Sequence, residues 1–77
     1  MKEFVEYVVK CIVDNPDKVE VENKVVEDKK IVLALHVSRN DIGKVIGKGG
    51  KTAQAIRTIL TAIAAREGKR AILEIID

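Results

Sequence analysis

Between Lys2 and Val13 the apolar residues Phe4, Val5, Val8, Val9 and Ile12 recur at helical spacing, with Lys2, Glu3, Glu6 and Lys10 opposite. This pattern predicts an amphipathic helix over 2–13, ended by Asn15-Pro16-Asp17. From Lys18 to Glu22 the period changes to two, with Val19 and Val21 between charged residues, which predicts a half-exposed strand with a less regular continuation through Val25 and Val26. The charged break Glu27-Asp28-Lys29-Lys30 precedes Ile31 to Val37, a β-branched apolar run short enough to be a buried strand. These two strands are expected to form a hairpin.

A short helix is expected from Arg39 to Ile46. Ser38 stands at its N-cap position, and Asp41 is placed to favour the positive end of the helix. Gly47-Lys48-Gly49-Gly50 interrupts the pattern, and Lys51 to Arg66 resumes it as a long helix rich in Ala, Ile and Leu, stopped at Gly68. Ala71 to Ile76 closes the order α-β-β-α-α-β as a last strand. Helices between two strands imply a right-handed crossover and a parallel pair, hence an α+β fold with a three-stranded mixed sheet covered by helices on one face. On the long helix Ala53, Ile56, Leu60, Ile63 and Ala64 form the stripe expected to face the sheet.

With 77 residues and 47% apolar side chains, the chain is expected to be one domain, residues 1–77, with a small core. Phe4 and Tyr7 are its aromatic residues, so binding by stacked rings is excluded as the main handle. Cys11 has no second thiol and reads as a small core residue in a reducing compartment; the absence of an N-terminal signal pattern and of a membrane-length apolar run points to the cytoplasm. The formal charge of +2 is modest but unevenly spread. Residues 1–30 carry six basic and eight acidic side chains, and residues 31–77 carry eight and four. Between Ile42 and Arg66 stand Lys44, Lys48, Lys51, Arg57 and Arg66 without an acidic residue, which makes this segment the polyanion-facing candidate.

The glycine turn inside that segment decides between chemistries. A Walker A loop ending at Gly50-Lys51-Thr52 would need glycine at Val45 and a preceding strand, and a dinucleotide fingerprint started at Gly47 would need glycine at Thr52. Both fail. The arrangement that fits is I-G-x-x-G between two helices, Ile46-Gly47-Lys48-Gly49-Gly50, followed by apolar Ala53, Ile56 and Leu60. In this, and in its element order over the whole chain, the sequence resembles the type II KH domain, and more narrowly the small stand-alone bacterial KhpA family.

The residues support the same chemistry by themselves. Glycines at both ends of a tight turn let backbone approach a sugar-phosphate chain, and the helix starting near Gly50 directs free N–H groups and its positive end there. Lys48 and Lys51 add charge at that point, and Lys44 and Arg57 can extend the path. The resemblance to a KH domain implies a groove that takes about four nucleotides of single strand. Bases are expected to rest against Ile46 and part of the strand Ile31 to Val37. Gly43, inside a helix, reads as a close-packing position, and His36 as a partly exposed strand residue. No nucleophile, base and orienting group come together, so no catalytic residue, metal site or cofactor is assigned.

Ala55, Ile59, Ala62 and Arg66 form a second stripe on the long helix, read either as an interface with another chain or, through Ile59, as a widening of the core stripe. The resemblance implies homodimers, assembly with a larger KH-containing partner of the KhpB/Jag type, and an RNA chaperone or post-transcriptional regulator linked to cell elongation, cell shape and cell-wall homeostasis. Two functions from different classes follow: a non-catalytic module binding single-stranded RNA, or a dimerising subunit that recruits a protein partner with RNA secondary.

Overall fold

The computed structural model describes residues 1–76. Helix α1 (Lys2–Ile12) leads through a 3₁₀ turn at Pro16–Lys18 into β1 (Glu20–Val26) and β2 (Lys30–His36). A second 3₁₀ turn, Arg39–Asp41, precedes α2 (Ile42–Ile46); the glycine turn leads into α3 (Lys51–Arg66), and β3 (Arg70–Ile76) follows. The sheet order is β1-β2-β3, with β1 antiparallel and β3 parallel to the central β2. The expected hairpin, crossover and mixed sheet are all present.

Pairing and burial follow from side-chain alternation along the strands. Val21 opposite Leu35, and Leu33 opposite Leu73, face inward with Ile31 and meet Val5, Val9 and Val13 from α1, Val45 from α2, and Ile56 and Leu60 from α3 in one core. Full burial of each such aliphatic side chain is worth about 1.5–3 kcal/mol, so this single cluster is the main source of stability. Val32, Ala34 and His36 point to the other face, with Ala34 in register between Glu22 on β1 and Glu74 on β3; Lys24 bonds Glu74 at 3.0 Å, and His36 lies 3.4 Å from Glu22. The less regular stretch of β1 is a bulge, because the register with β2 shifts between Asn23 and Val25.

On α3, Ala53, Ile56, Leu60 and Ala64 are buried and Ile63 is half-buried, as the stripe requires. Three local expectations need correction. The helix expected over 39–46 is a 3₁₀ turn followed by five α-helical residues, and Ser38 makes no side-chain cap, although Asp41 is the acidic residue of the first turn. Cys11 is exposed: α1 buries Val5 and Val9 at i and i+4, which turns the Tyr7 and Cys11 row outward.

The third is Gly43, which packs against nothing: a Cβ built there meets no atom within 4 Å. A Gly43→Ala variant is therefore expected to be stabilised by about 0.5–1 kcal/mol through helix propensity and reduced freedom of the unfolded chain. A urea-denaturation midpoint moving downward would show that glycine is needed there after all.

Candidate nucleic-acid interface

Helix α2 ends where the Gly47 N–H donates to the Gly43 carbonyl at 2.9 Å. Gly47 then takes φ 76° and ψ 170°, a region essentially restricted to glycine. A Cβ at Gly47 would lie 2.2 Å from Thr52 Oγ1 and 2.9 Å from the Thr52 backbone nitrogen, so the turn is closed against the start of α3 with no room for a side chain. The Gly50 N–H donates to the Gly47 carbonyl at 3.0 Å and completes the turn. Gly49 and Gly50 are both left-handed but border open space.

Helix α3 therefore starts directly at the turn, and no side chain caps its first turn. Its N-terminal backbone and dipole face the solvent beside Lys48 and Lys51, both exposed. Among the described residues neither lysine pairs with an acidic side chain. Ile46, immediately before the turn, is 39% exposed, an apolar surface next to a cationic one.

The other two basic candidates are already engaged. Lys44 pairs with Asp14 at the exit of α1, and the hydrogen bond to that carboxylate, with its charge and that of Asp41, outweighs desolvation and raises the ammonium pKa above its ordinary value. Arg57 donates from Nε and Nη2 to the Leu73 carbonyl at 3.4 and 3.3 Å, which sets its guanidinium on the edge of β3. Ile46, Gly47, Lys48, Gly49, Gly50 and Lys51 thus form one contiguous surface, with Lys44 tied back to α1 and Arg57 over β3.

The strand beside this surface is not the expected one. β2 is central and Ile31 to Leu35 are all buried, so it offers no face to a base; of the two edge strands, β1 and β3, the one packed beside α3 is β3. The Arg70 N–H pairs inward with the Lys29 carbonyl, and alternation then turns the backbone groups of Ala71, Leu73 and Ile75 outward. Arg57 occupies the carbonyl of Leu73.

Sequence reasoning missed Asp41 as a buried residue. Its carboxylate, 1% exposed, accepts hydrogen bonds from the Asp14 and Asn15 backbone N–H groups at 3.2 and 3.0 Å and from Asn15 Nδ2 at 3.1 Å. Burial pushes its pKa up, but these bonds and the nearby Lys44 charge prevail and hold it below the usual carboxylate value. The partners lie 26 and 27 residues away, so no local pattern announces them.

The second stripe on α3 is open: Ala55, Ala62 and Arg66 are exposed, and Ile59 is 47% exposed, too much for a residue completing the core. A surface depression lies elsewhere, lined by Met1, Lys2, Glu3, Asn23, Val26, Ile31 and Glu67. It adjoins the C-terminal end of α3, about 24 Å of helix from the glycine turn, and its basic groups, Lys2 and the Met1 ammonium, stand beside Glu3 and Glu67, with the ammonium 3.8 Å from Glu3.

A three-stranded mixed sheet in the order β1-β2-β3, helices α2 and α3 joined by I-G-x-x-G, and the leading α1 together define a type II KH domain. The family model described as KhpA/KhpB, KH domain, matches residues 2–75, and the chain belongs to that family. It is 50% identical over 76 residues to the RNA-binding protein KhpA of Clostridium perfringens, covering 99% of this chain and 100% of that protein. It is 51% identical over 76 residues to the RNA-binding protein KhpA of Caldanaerobacter subterraneus, with the same coverage. With the RNA-binding protein KhpA of Aquifex aeolicus it shares 48% over 77 residues, covering 100% and 96% of the two chains. No solved structure matches the chain.

Proposed function

We propose that this chain is a non-catalytic RNA-binding module that holds single-stranded RNA at the Gly47-Lys48-Gly49-Gly50 turn. The observation that carries this reading is the turn itself: at Gly47 a strained backbone only glycine can adopt, closed onto an uncapped helix start, with two lysines beside it that pair with no acidic side chain among the described residues. Phosphates would be met by α3's N-terminal N–H groups and by Lys48 and Lys51, where charge and dipole act together. Bases would pass over Ile46 toward the β3 edge, where the outward backbone groups of Ala71 and Ile75 and the Arg57 guanidinium can exchange hydrogen bonds with them. Membership in a family whose named relatives are RNA-binding proteins supports the same ligand class.

The finer role rests on the resemblance: a cytoplasmic RNA chaperone or post-transcriptional regulator, tied to cell elongation and cell-wall homeostasis, acting as a homodimer and with a larger partner of the KhpB/Jag type. Among the described residues no helix is long and apolar enough to cross a membrane. The exposed row Ala55, Ile59, Ala62 and Arg66 is the surface proposed for pairing, and it favours a second reading in which partner recruitment is the main task and RNA is secondary. Pairing two weak grooves would raise the effective affinity for a longer strand.

Fluorescence anisotropy of a labelled single-stranded RNA tests the first reading. With three to four phosphates neutralised, the slope of log affinity against log salt is expected to be about −2 to −3, so that affinity falls roughly 15- to 60-fold between 50 and 200 mM salt. A flat salt response would remove the phosphate cradle from the explanation and leave partner recruitment as the working function.

A further inference from the structure

Asp41 is the one buried charged side chain among the described residues, and the RNA path just derived does not touch it. Its surroundings explain why it is charged. α1 ends as Val13 turns to extended backbone (ψ 160°), which leaves the N–H groups of Asp14 and Asn15 outside the helix and in need of acceptors. The Asp41 carboxylate takes both, and Asn15 Nδ2 as well. Three donors converge on one group, and a carboxylate has an acceptor for each, whereas an amide of the same shape would present a donor to one of them.

The carboxylate makes no capping hydrogen bond to its own helix. What it does is anchor. α2 has five residues, far too few to hold a helical conformation or a direction unaided. Three ties fix it: Val45 in the core, Asp41 on the Asp14-Asn15 dipeptide, and Lys44 on the Asp14 side chain. Two of the three reach the same dipeptide. Gly47 begins one residue after α2 ends, so the direction in which α2 leaves this anchor sets where Lys48 and the start of the turn stand.

We propose that Asp41 is a positioning residue for the glycine turn, clamping α2 to the exit of α1 and thereby placing Gly47 to Gly50 for phosphate contact. The affinity consequence rests on the RNA reading above; the structural consequence does not. Asp14 and Asn15, far from the turn in sequence, belong to the same device.

The test follows the glycine amides in ¹⁵N–¹H correlation spectra of the wild type and Asp41→Asn, together with RNA anisotropy at a temperature where each protein is folded. In Asp41→Asn the amides of Gly47, Gly49 and Gly50 are expected to shift or broaden while Gly68, beyond the far end of α3, keeps its position, and RNA affinity is expected to fall about tenfold. Should Asp41→Asn fail to fold, Asn15→Ala removes one of the three bonds and is expected to move the same three amides by less. Loop amides that stay in place in a folded variant would overturn the proposal, and so would a Gly68 shift as large as theirs, which marks a general stabiliser. Loop amides that move in a protein whose wild type binds no RNA would sink the RNA reading and leave the clamp standing.

Discussion

A Lys48→Asp, Gly49→Asp variant is expected to lose detectable binding to a short single-stranded RNA while remaining folded. Lys48 is exposed and unpaired among the described residues, so its removal takes away a phosphate contact and no structural one. The two new carboxylates then stand where phosphates must come, each repelling a phosphate at contact distance by about 1 kcal/mol even in water. Together with the lost attraction this amounts to roughly 3 kcal/mol, or more than a hundredfold, enough to take a weak single-groove interaction out of range. The fold has little reason to fail. Nothing lies within 4 Å of a Cβ at Gly49, and aspartate is among the residues that tolerate its left-handed backbone, φ 65° and ψ 19°. A cost near 1 kcal/mol lowers the melt of a domain this size by about 4–8 °C. Anisotropy on the intact variant, checked by its circular dichroism melt, decides the matter: undiminished binding would place the RNA surface elsewhere.

Gly47→Ala is expected to be far more damaging than its one methyl group suggests. The backbone there lies in a region that costs other residues about 1–3 kcal/mol, and the new Cβ would also sit 2.7 Å from Thr52 Cβ and 2.9 Å from the Thr52 nitrogen. The clash is with backbone as well as side chain, so no rotamer change at Thr52 relieves it. A loss of about 3 kcal/mol is a large part of the roughly 4–12 kcal/mol available to a chain of this length. The comparison that isolates the effect is Gly50→Ala, where φ is 78° but the space is open. That variant should lose only the left-handed penalty, about 1–2 kcal/mol. Urea denaturation giving equal losses for the two would mean that the turn does not close against Thr52 as described.

The readable parts of this molecule were those in which neighbouring residues settle the structure. The hairpin, α3 with its buried face, and the glycine turn all follow from periods and residue types within a few positions. The even run of apolar residues in α1 hides which side is buried, so Cys11 reads as a core residue although the fully buried row is Val5 and Val9. Strand order was not legible, because either neighbour of β2 satisfies a parallel crossover, and with it went the identity of the open edge and the attachment of Arg57 to Leu73. Asp41 was out of reach for the same reason: its partners are set by the packing of α1 against α2, not by spacing along the chain. The glycine turn was readable by type, but its intolerance at Gly47 specifically depends on the proximity of Thr52, which only coordinates reveal.

The parallel pairing of β2 with β3 has a kinetic consequence. Lys30 pairs with Arg70 and His36 with Ile76, so every contact across this ladder closes a loop of about forty residues, whereas β1 and β2 meet across a short turn. In refolding, the hairpin can form early and cheaply, and the β2–β3 ladder must wait for a much longer closure. The whole of α2, the glycine turn and α3 lies inside that closing loop. A ribosome-bound chain that has not yet released β3 would therefore carry its hairpin without a shaped turn, and competence for a ligand would come in one late step.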